Sequence, residues 1–456
     1  MKNKLLYFLL LFILAACRKE RTTTDTAINL ITSTDTVRFD TVFTNTGSVT
    51  QVVKLFNPAT ETIQIPAIRL LGGAASAFKI NANGTPGPMV ENMEIRGDDS
   101  AYIFVTATIP ATAAHGPFLM QDSIEIAYNG NKKQVQLEAH GQNAHFIRNG
   151  KIWSNTTWKA DLPYVLLGSF TIEKNAQLTI SEGCRIYAHA NAPILIEGTL
   201  IVQGKKWDST RVVFSGDRLD APYRDLPGSW PGLIFKTDSH DNSLEYAVIK
   251  NAYQAIAVEA SPAANKLTLR QTIIDHAFDA GIVADNTTII GENLLISNCG
   301  KNMLLRGGNY NFTHATIVGY ATNFLPHKEP VLTVTAGAAT TGLNATFRNC
   351  IFWGESGGVV PNEVSVFKNG NATFNVRFDG VLWPLAASPN NVTLSVPPLN
   401  ANPEFDSLDA ETNFYDFHLK ENAPGRNSGV PSTVSLDLDG RPRPALNPDL
   451  GVYQKQ

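Results

Sequence analysis

Cysteine is scarce in this chain, with four residues in 456, which excludes a scaffold stapled by disulfides. Charge is scarce too, at 17%, and it is nearly balanced: 37 basic side chains against 41 acidic ones, a formal net charge of −4. So even a balance offers no electrostatic footprint for nucleic acid, so nucleic acid is excluded as a partner. Long apolar runs are missing after residue 16, and no later segment is long enough to cross a bilayer as a helix. A helical period of 3.6 is missing from the longer part of the chain. What remains is 43% apolar residues with 34 glycines, a composition that suits extended sheet with many turns and excludes coiled coil and disorder. The predicted fold class is all-β.

Lys2 and Lys4 precede an apolar run from Leu5 to Ala16. That run is too short to span a bilayer and has the length of a signal-peptide core. It ends Leu14-Ala15-Ala16-Cys17, which resembles the bacterial lipobox. The resemblance implies a lipoprotein signal peptide over 1–16, with Cys17 as the lipid anchor. Acyl chains add about 0.8 kcal/mol per buried CH₂, so several of them hold a protein at a membrane. Cys17-Arg18-Lys19-Glu20 is similar to the lipoprotein export signal of Bacteroidetes-type bacteria, which implies an outer-membrane lipoprotein at the cell surface. Residues 17–27, with threonines at 22–24 and 26, are expected to form a flexible tether. Asp-Ser/Thr-apolar triplets at Thr26, Thr36, Thr41 and Ser123 resemble the O-glycosylation sites of the same bacteria.

From 28 to 145 the apolar residues alternate. Val37 and Phe39, Ile63 and Ile65, Ile124 and Ile126, and Val135 and Leu137 each mark one buried strand face. Turn signals separate them, among them Asn45-Thr46-Gly47 and Asn129-Gly130-Asn131. Short strands at this spacing predict a β-sandwich. The segment resembles the Ig-like modules of anchored bacterial proteins and is expected to act as a spacer.

From 146 to 400 a repeat of about 22 residues takes over. Val248-Ile249-Lys250-Asn251 is followed by Ile273-Ile274-Asp275-His276, Leu295-Ile296-Ser297-Asn298, Ile317-Val318-Gly319-Tyr320, Ile351-Phe352-Trp353-Gly354 and Val381-Leu382-Trp383. Glu245, Arg270, Glu292, His314 and Arg348 form a second, polar column. Repeats that stack like on like predict the coils of a right-handed parallel β-helix, with aliphatic residues inside and charges of alternating sign outside. Asn251 and Asn298 share one turn position and suggest an asparagine ladder, interrupted by His276 and Tyr320. These phrases, with Trp230-Pro231-Gly232-Leu233-Ile234-Phe235, resemble the pectin-lyase-like superfamily. Residues 401–456 carry Asn402-Pro403-Glu404-Phe405, Asp437-Leu438-Asp439-Gly440 and Pro448-Asp449-Leu450-Gly451. They are similar to the C-terminal region of surface β-helix proteins of the choice-of-anchor Q type, and are expected to cap the last coil.

The chemistry is thinner. No catalytic signature of the superfamily's lyases or hydrolases is present, and no metal site or cofactor is predicted. Asp275, His276, Asp279 and Asp285 lie on one coil and could face one groove, although turn acids would read the same way. The Asp437 loop reads as a turn with Arg441 or Arg443 near Asp449. Cys184, Cys299 and Cys350 fall in different columns and are expected to be buried free thiols. The excursion from Ser215 to Gly232 supplies the ligand-binding candidates Arg218, Tyr223, Arg224 and Trp230, because aromatic faces stack on sugar rings and charges bond hydroxyls. The insertion from Pro326 to Thr341 reads as a plain loop. The function this supports is a cell-envelope lipoprotein that binds glycans or envelope components. The alternative is a polysaccharide lyase or glycoside hydrolase.

Overall fold

A computed structural model of the chain describes residues 21–336, 342–355, 359–384 and 389–455. The leader and Cys17 lie outside the described residues. Among them, no helix is long and apolar enough to cross a membrane. The chain divides into two compact units, one ending at Asn143 and the other beginning at Ala144.

The first unit is a sandwich of two sheets. One sheet joins Thr62–Leu70 to Phe118–Tyr128, Asn131–Gln142 and Thr36–Phe43, with Met89–Ile95 beside Thr62–Leu70. The other runs Ile31–Thr32, Gln51–Phe56, Ser100–Ala107, Phe78–Ala82. All four alternating apolar pairs are buried between the sheets. Asn45 and Asn129 take left-handed backbone in their turns, a conformation Asn tolerates better than most residues. Asn57 is buried, and its amide donates to the carbonyls of Glu61, Ile95 and Arg96. The tether differs from expectation. Thr22–Thr23 pairs in parallel with Thr62–Ile63, and the Thr62 N–H donates to the Arg21 carbonyl. The free edge of the Thr62 strand supplied unpaired groups, and the threonines satisfied them.

The second unit is the parallel β-helix. Among the described residues, 25 strands form one parallel ladder system with three strand positions per coil. Ala247–Lys250, Ile273–Asp275, Leu295–Ser297 and Thr316–Tyr320 stack in one position. Leu233–Phe235, Gln254–Val258 and the first half of Ala280–Glu292 stack in the second. Asn242–Glu245, Leu267–Arg270 and the second half of that long strand stack in the third. Parallel crossovers of this kind take a right hand. Ile249, Ile274, Ile296, Ile317 and Phe352 are successive partners, each fully buried. In the third position Phe312, Phe347 and Phe378 continue the core as stacked rings, with centroids 5.6 and 5.1 Å apart.

The register departs from the sequence marks by one residue after Asn298. Thr316, not Ile317, is level with Leu295, and Ile317 is level with Ile296. Leu382, not Val381, is level with Ile351. Every residue of Thr316–Tyr320 is buried, so alternation cannot say which face is inside. Thr313, not His314, continues the polar column from Glu292 to Arg348, and Asp379 extends it. His314 instead occupies a buried left-handed turn, level with Gln271, Asn293 and Asn349. Asn251, His276 and Asn298 form a second such turn stack through their backbones, whereas the His276 side chain bonds Asp275 and the Asn251 side chain bonds the Arg224 carbonyl.

The C-terminal region lies along the flank of the helix. Its hairpin, Phe405–Asp409 with Phe414–Leu419, and the tail that follows pack on Leu295, Val318, Ile351 and Leu382. These side chains point outward from the strands, and burial under the tail explains why they are apolar. Arg443 donates to Asn293 Oδ1 at 3.1 Å, and Asn349 exchanges hydrogen bonds with Val430. Asp437 accepts from the N–H groups of Asp439, Arg441 and Gln454, which makes its loop the expected turn. Cys184, Cys299 and Cys350 are free and buried. Burial pushes the Cys184 thiol up to about 11 and the Cys350 thiol up to about 12. The insertion after Pro326 is more than a plain loop. His327 Nε2 pairs with Glu363 Oε1 at 3.0 Å in a buried site against Gly319 and Gly354.

Candidate functional site

The excursion from Ser215 to Gly232 leaves the helix and folds back on the turns at Asn251 and His276. Its return is fixed by backbone bonds from Gly228 N to Ala252 O and from Ser229 N to Asn251 O. The Asn251 side chain donates to the Arg224 carbonyl at 2.7 Å. Gly232 has φ +114°, and a Cβ there would strike the Gln254 carbonyl, so only glycine closes the loop.

The four ligand candidates do not act as one group. Trp230 is 1% exposed, packed in the helix core, with Nε1 donating to the Lys250 carbonyl at 2.9 Å. It cannot offer a face to a ligand. An indole this large is drawn into the core because its single N–H finds a carbonyl there. Arg218 holds Asp220 through two bonds of 2.7 and 2.8 Å and lies 4.0 Å from the Tyr223 ring centroid. One face of Tyr223 is therefore already covered. Arg224 is exposed, 3.4 Å from Asp225.

Two aromatic residues that the sequence reading passed over stand beside this loop. Tyr253 and Phe278 lie on adjacent coils with ring centroids 5.8 Å apart, stacked at 25°. They are 49% and 50% exposed. A signal for them was present: Asn251-Ala252-Tyr253 and His276-Ala277-Phe278 are the same phrase one coil apart. A Cβ on Gly228 would sit 3.2 Å from the Phe278 Cβ, so the loop closely abuts this pair.

Next to the pair is a cleft of about 170 Å³ between Asp225 of the loop, Lys250, Asp275 and His276 of the coils, and Asn413 of the C-terminal hairpin. His276 Nδ1 bonds Asp275 Oδ2 at 2.7 Å, and Asp275 Oδ1 accepts from Ser297 at 2.6 Å. Burial works against charge on His276, but the Asp275 carboxylate outweighs it and holds the imidazole pKa above its ordinary value. The other sequence-named carboxylates are elsewhere. Asp279 accepts from Gln254 and Lys301 at 2.7 and 2.9 Å, and Asp285 is held by Arg306. A wider groove of about 490 Å³ runs between the third strand position and the tail. Its charged residues Glu292 and Arg348 are already matched to Arg270 and Asp379. Among the described residues, no cluster of three or more His, Cys, Asp or Glu side chains could hold a metal ion.

No protein-family model matches the chain, and no curated protein does. Solved structures align weakly. A family 123 glycoside hydrolase from Clostridium perfringens aligns at 11% identity over 28% of this chain and 26% of its own, with a TM-score of 0.19. The chaperone DraB of E. coli aligns at 8% identity over 26% of this chain and 57% of its own, with a TM-score of 0.18. The catalytic unit of a GH87 α-1,3-glucanase from Streptomyces thermodiastaticus aligns at 12% identity over 77% of this chain and 89% of its own, with a TM-score of 0.24. Similarity this low carries no argument about function, and the fold assignment rests on the strand pairing itself.

Proposed function

We propose that this protein is a cell-envelope lipoprotein, anchored through Cys17, whose β-helix binds glycans on the flank around Tyr253 and Phe278. The observation that carries the reading is the half-exposed aromatic pair. The rings stack on each other and each stays half-exposed, so an outer face and the ring edges, next to a polar cleft, suit a sugar ring that stacks on one side and hydrogen-bonds on the other. The lipobox and the residues after it support anchoring at the outer membrane, facing the cell surface. The test is retention on a panel of immobilised neutral and acidic polysaccharides. Phe278→Ala and Tyr253→Ala should each weaken retention, whereas Tyr102→Ala, an exposed aromatic in the sandwich, should not. Equal retention by all three variants would remove the flank from the reading.

A second reading, cleavage by a lyase or hydrolase, is favoured by one feature. His276 is oriented through Nδ1 by Asp275, an arrangement that serves general acid or base chemistry. New unsaturated or reducing ends in the same polysaccharide incubations would establish it.

A further inference from the structure

Two residues that line the cleft beside the aromatic pair, His276 and Asn413, carry polar atoms that have no partner within the protein. His276 is 9% exposed, and its Nε2 has no hydrogen-bond partner, although its Nδ1 is bonded to Asp275. Asn413 also lines the cleft, and its buried Oδ1 has none either. Buried groups of this kind cost free energy when unpaired, so two on one small cleft point to an occupant. They sit on separate elements, the turn stack of the helix and the C-terminal hairpin, and each has its own local structure. His276 adopts φ +53° and Asn413 φ +53°, left-handed conformations at turns of the two elements.

We infer that this cleft is a subsite for a single uncharged sugar ring, at the end of or branching from the glycan that stacks on Tyr253 and Phe278; this rests on the glycan-binding reading above. Size and charge support it. A volume of about 170 Å³ is room for about six waters and is below the range of drug-sized pockets. The lining sets two carboxylates, Asp225 and Asp275, against Lys250 and His276. It offers no excess of positive charge to capture a uronate or a phosphate, and an incoming carboxylate would meet two others. A sugar hydroxyl both donates and accepts. A hydroxyl can donate to His276 Nε2, which is left as an acceptor when Nδ1–H donates to Asp275, or accept from it when the ring is protonated, while a neighbouring hydroxyl donates to Asn413 Oδ1 or to Asp225.

The experiment uses the full chain in detergent and measures binding of the methyl glycosides of glucose, galactose and mannose, and of glucuronic and galacturonic acids, by titration calorimetry. At least one neutral glycoside should bind, and the uronates should not. His276→Gln and Asn413→Leu should each weaken that binding about tenfold, the loss of one hydrogen bond to a buried group. Should His276→Gln fail to fold by circular dichroism, Asn413→Leu, on the exposed hairpin, carries the test. Uronates binding as tightly as neutral sugars would overturn the subsite and leave glycan binding standing. Neutral binding that neither variant weakens would also overturn it. Loss of all retention on polysaccharides, with no glycoside bound, would remove both.

Discussion

His418 Nε2 lies 3.0 Å from Asp439 Oδ2, and this bond ties the C-terminal hairpin to the tail that follows it. The other ring nitrogen reaches Asp416 Oδ1 at 2.5 Å, the ring stacks on Tyr453 at 3.7 Å, and Arg441 stands 3.6 Å from Asp439. Only a protonated imidazole donates to both carboxylates. Burial opposes that charge, but Asp439 and Asp416 outweigh it and raise the His418 pKa. His418 holds the Asp439 carboxyl below its usual value.

The sign of the pH dependence follows. A raised folded-state pKa contributes stability that is complete below the unfolded value, about 6.5, and is lost as pH rises through the folded value. The lowered Asp439 pKa contributes above about 3.9 and is lost as pH falls through its folded value. Urea unfolding should therefore show the tail most firmly held between about pH 4 and 6.5. Stability should then fall by about 1 kcal/mol on the alkaline side, and His418→Gln should reduce that fall, leaving the part that the raised His276 pKa contributes. A rise in stability over the same range would mean that the clamp is not electrostatic.

The second prediction tests the coil register. Ile296 is fully buried between Ile274 and Ile317, whereas Glu292 is part-exposed and 2.9 Å from Arg270. Ile296→Asp should cost several kcal/mol, because an unpaired carboxylate enters an aliphatic stack. Glu292→Ala should cost about 0.5 kcal/mol or less. The sites are close together on successive strands, so general fragility cannot produce a difference, and equal effects would overturn the register.

The inward columns were legible because each coil repeats one environment, and like stacks on like. The one-residue slip at Ile317 arose where both faces of a strand are buried, since there the apolar pattern no longer distinguishes inside from tail-covered outside. The lateral course of the tail was not legible. Its contacts, such as Arg443 with Asn293, join residues 150 apart and leave no local period. Trp230 was recognised as part of the fold's phrase and also offered as a ligand face, and its core position leaves only the first role. Tyr253 and Phe278 repeat visibly, but whether a repeated aromatic is covered or open depends on which excursion lies over it.

Cys17→Ser should release the protein from the membrane fraction. A variant that still fractionates with membranes and is still processed would remove the anchor. Intact mass of the wild type provides a further reading. Thr26 is exposed, whereas the Ser123 hydroxyl already donates to Gln136 at 2.9 Å. Any added sugar should therefore map to Thr26 before Ser123, and a mass equal to the acylated polypeptide would exclude both.

The last prediction concerns two glycines. Gly319 and Gly354 pair on adjacent coils, and the His327 imidazole lies against both. A Cβ on Gly319 would fall well inside contact distance of the His327 ring, and one on Gly354 would strike both His327 and Glu363. The ring cannot easily move away, because it is buried and bonded to Glu363 at 3.0 Å, and Glu363 also accepts from the Val331 N–H. Neither glycine has a positive φ, so the strain on substitution comes from crowding alone. Gly319→Ala should cost about 1–3 kcal/mol. Gly342→Ala, where the nearest atom to the new methyl is 3.6 Å away, should cost little. In a His327→Ala background the Gly319→Ala effect should shrink to within about 0.5 kcal/mol of zero, since the added methyl then enters the space that the imidazole vacated. Urea unfolding of the four proteins in that cycle measures the coupling. Additive losses would show that His327 does not rest on Gly319, and that the insertion is held to the helix in some other way.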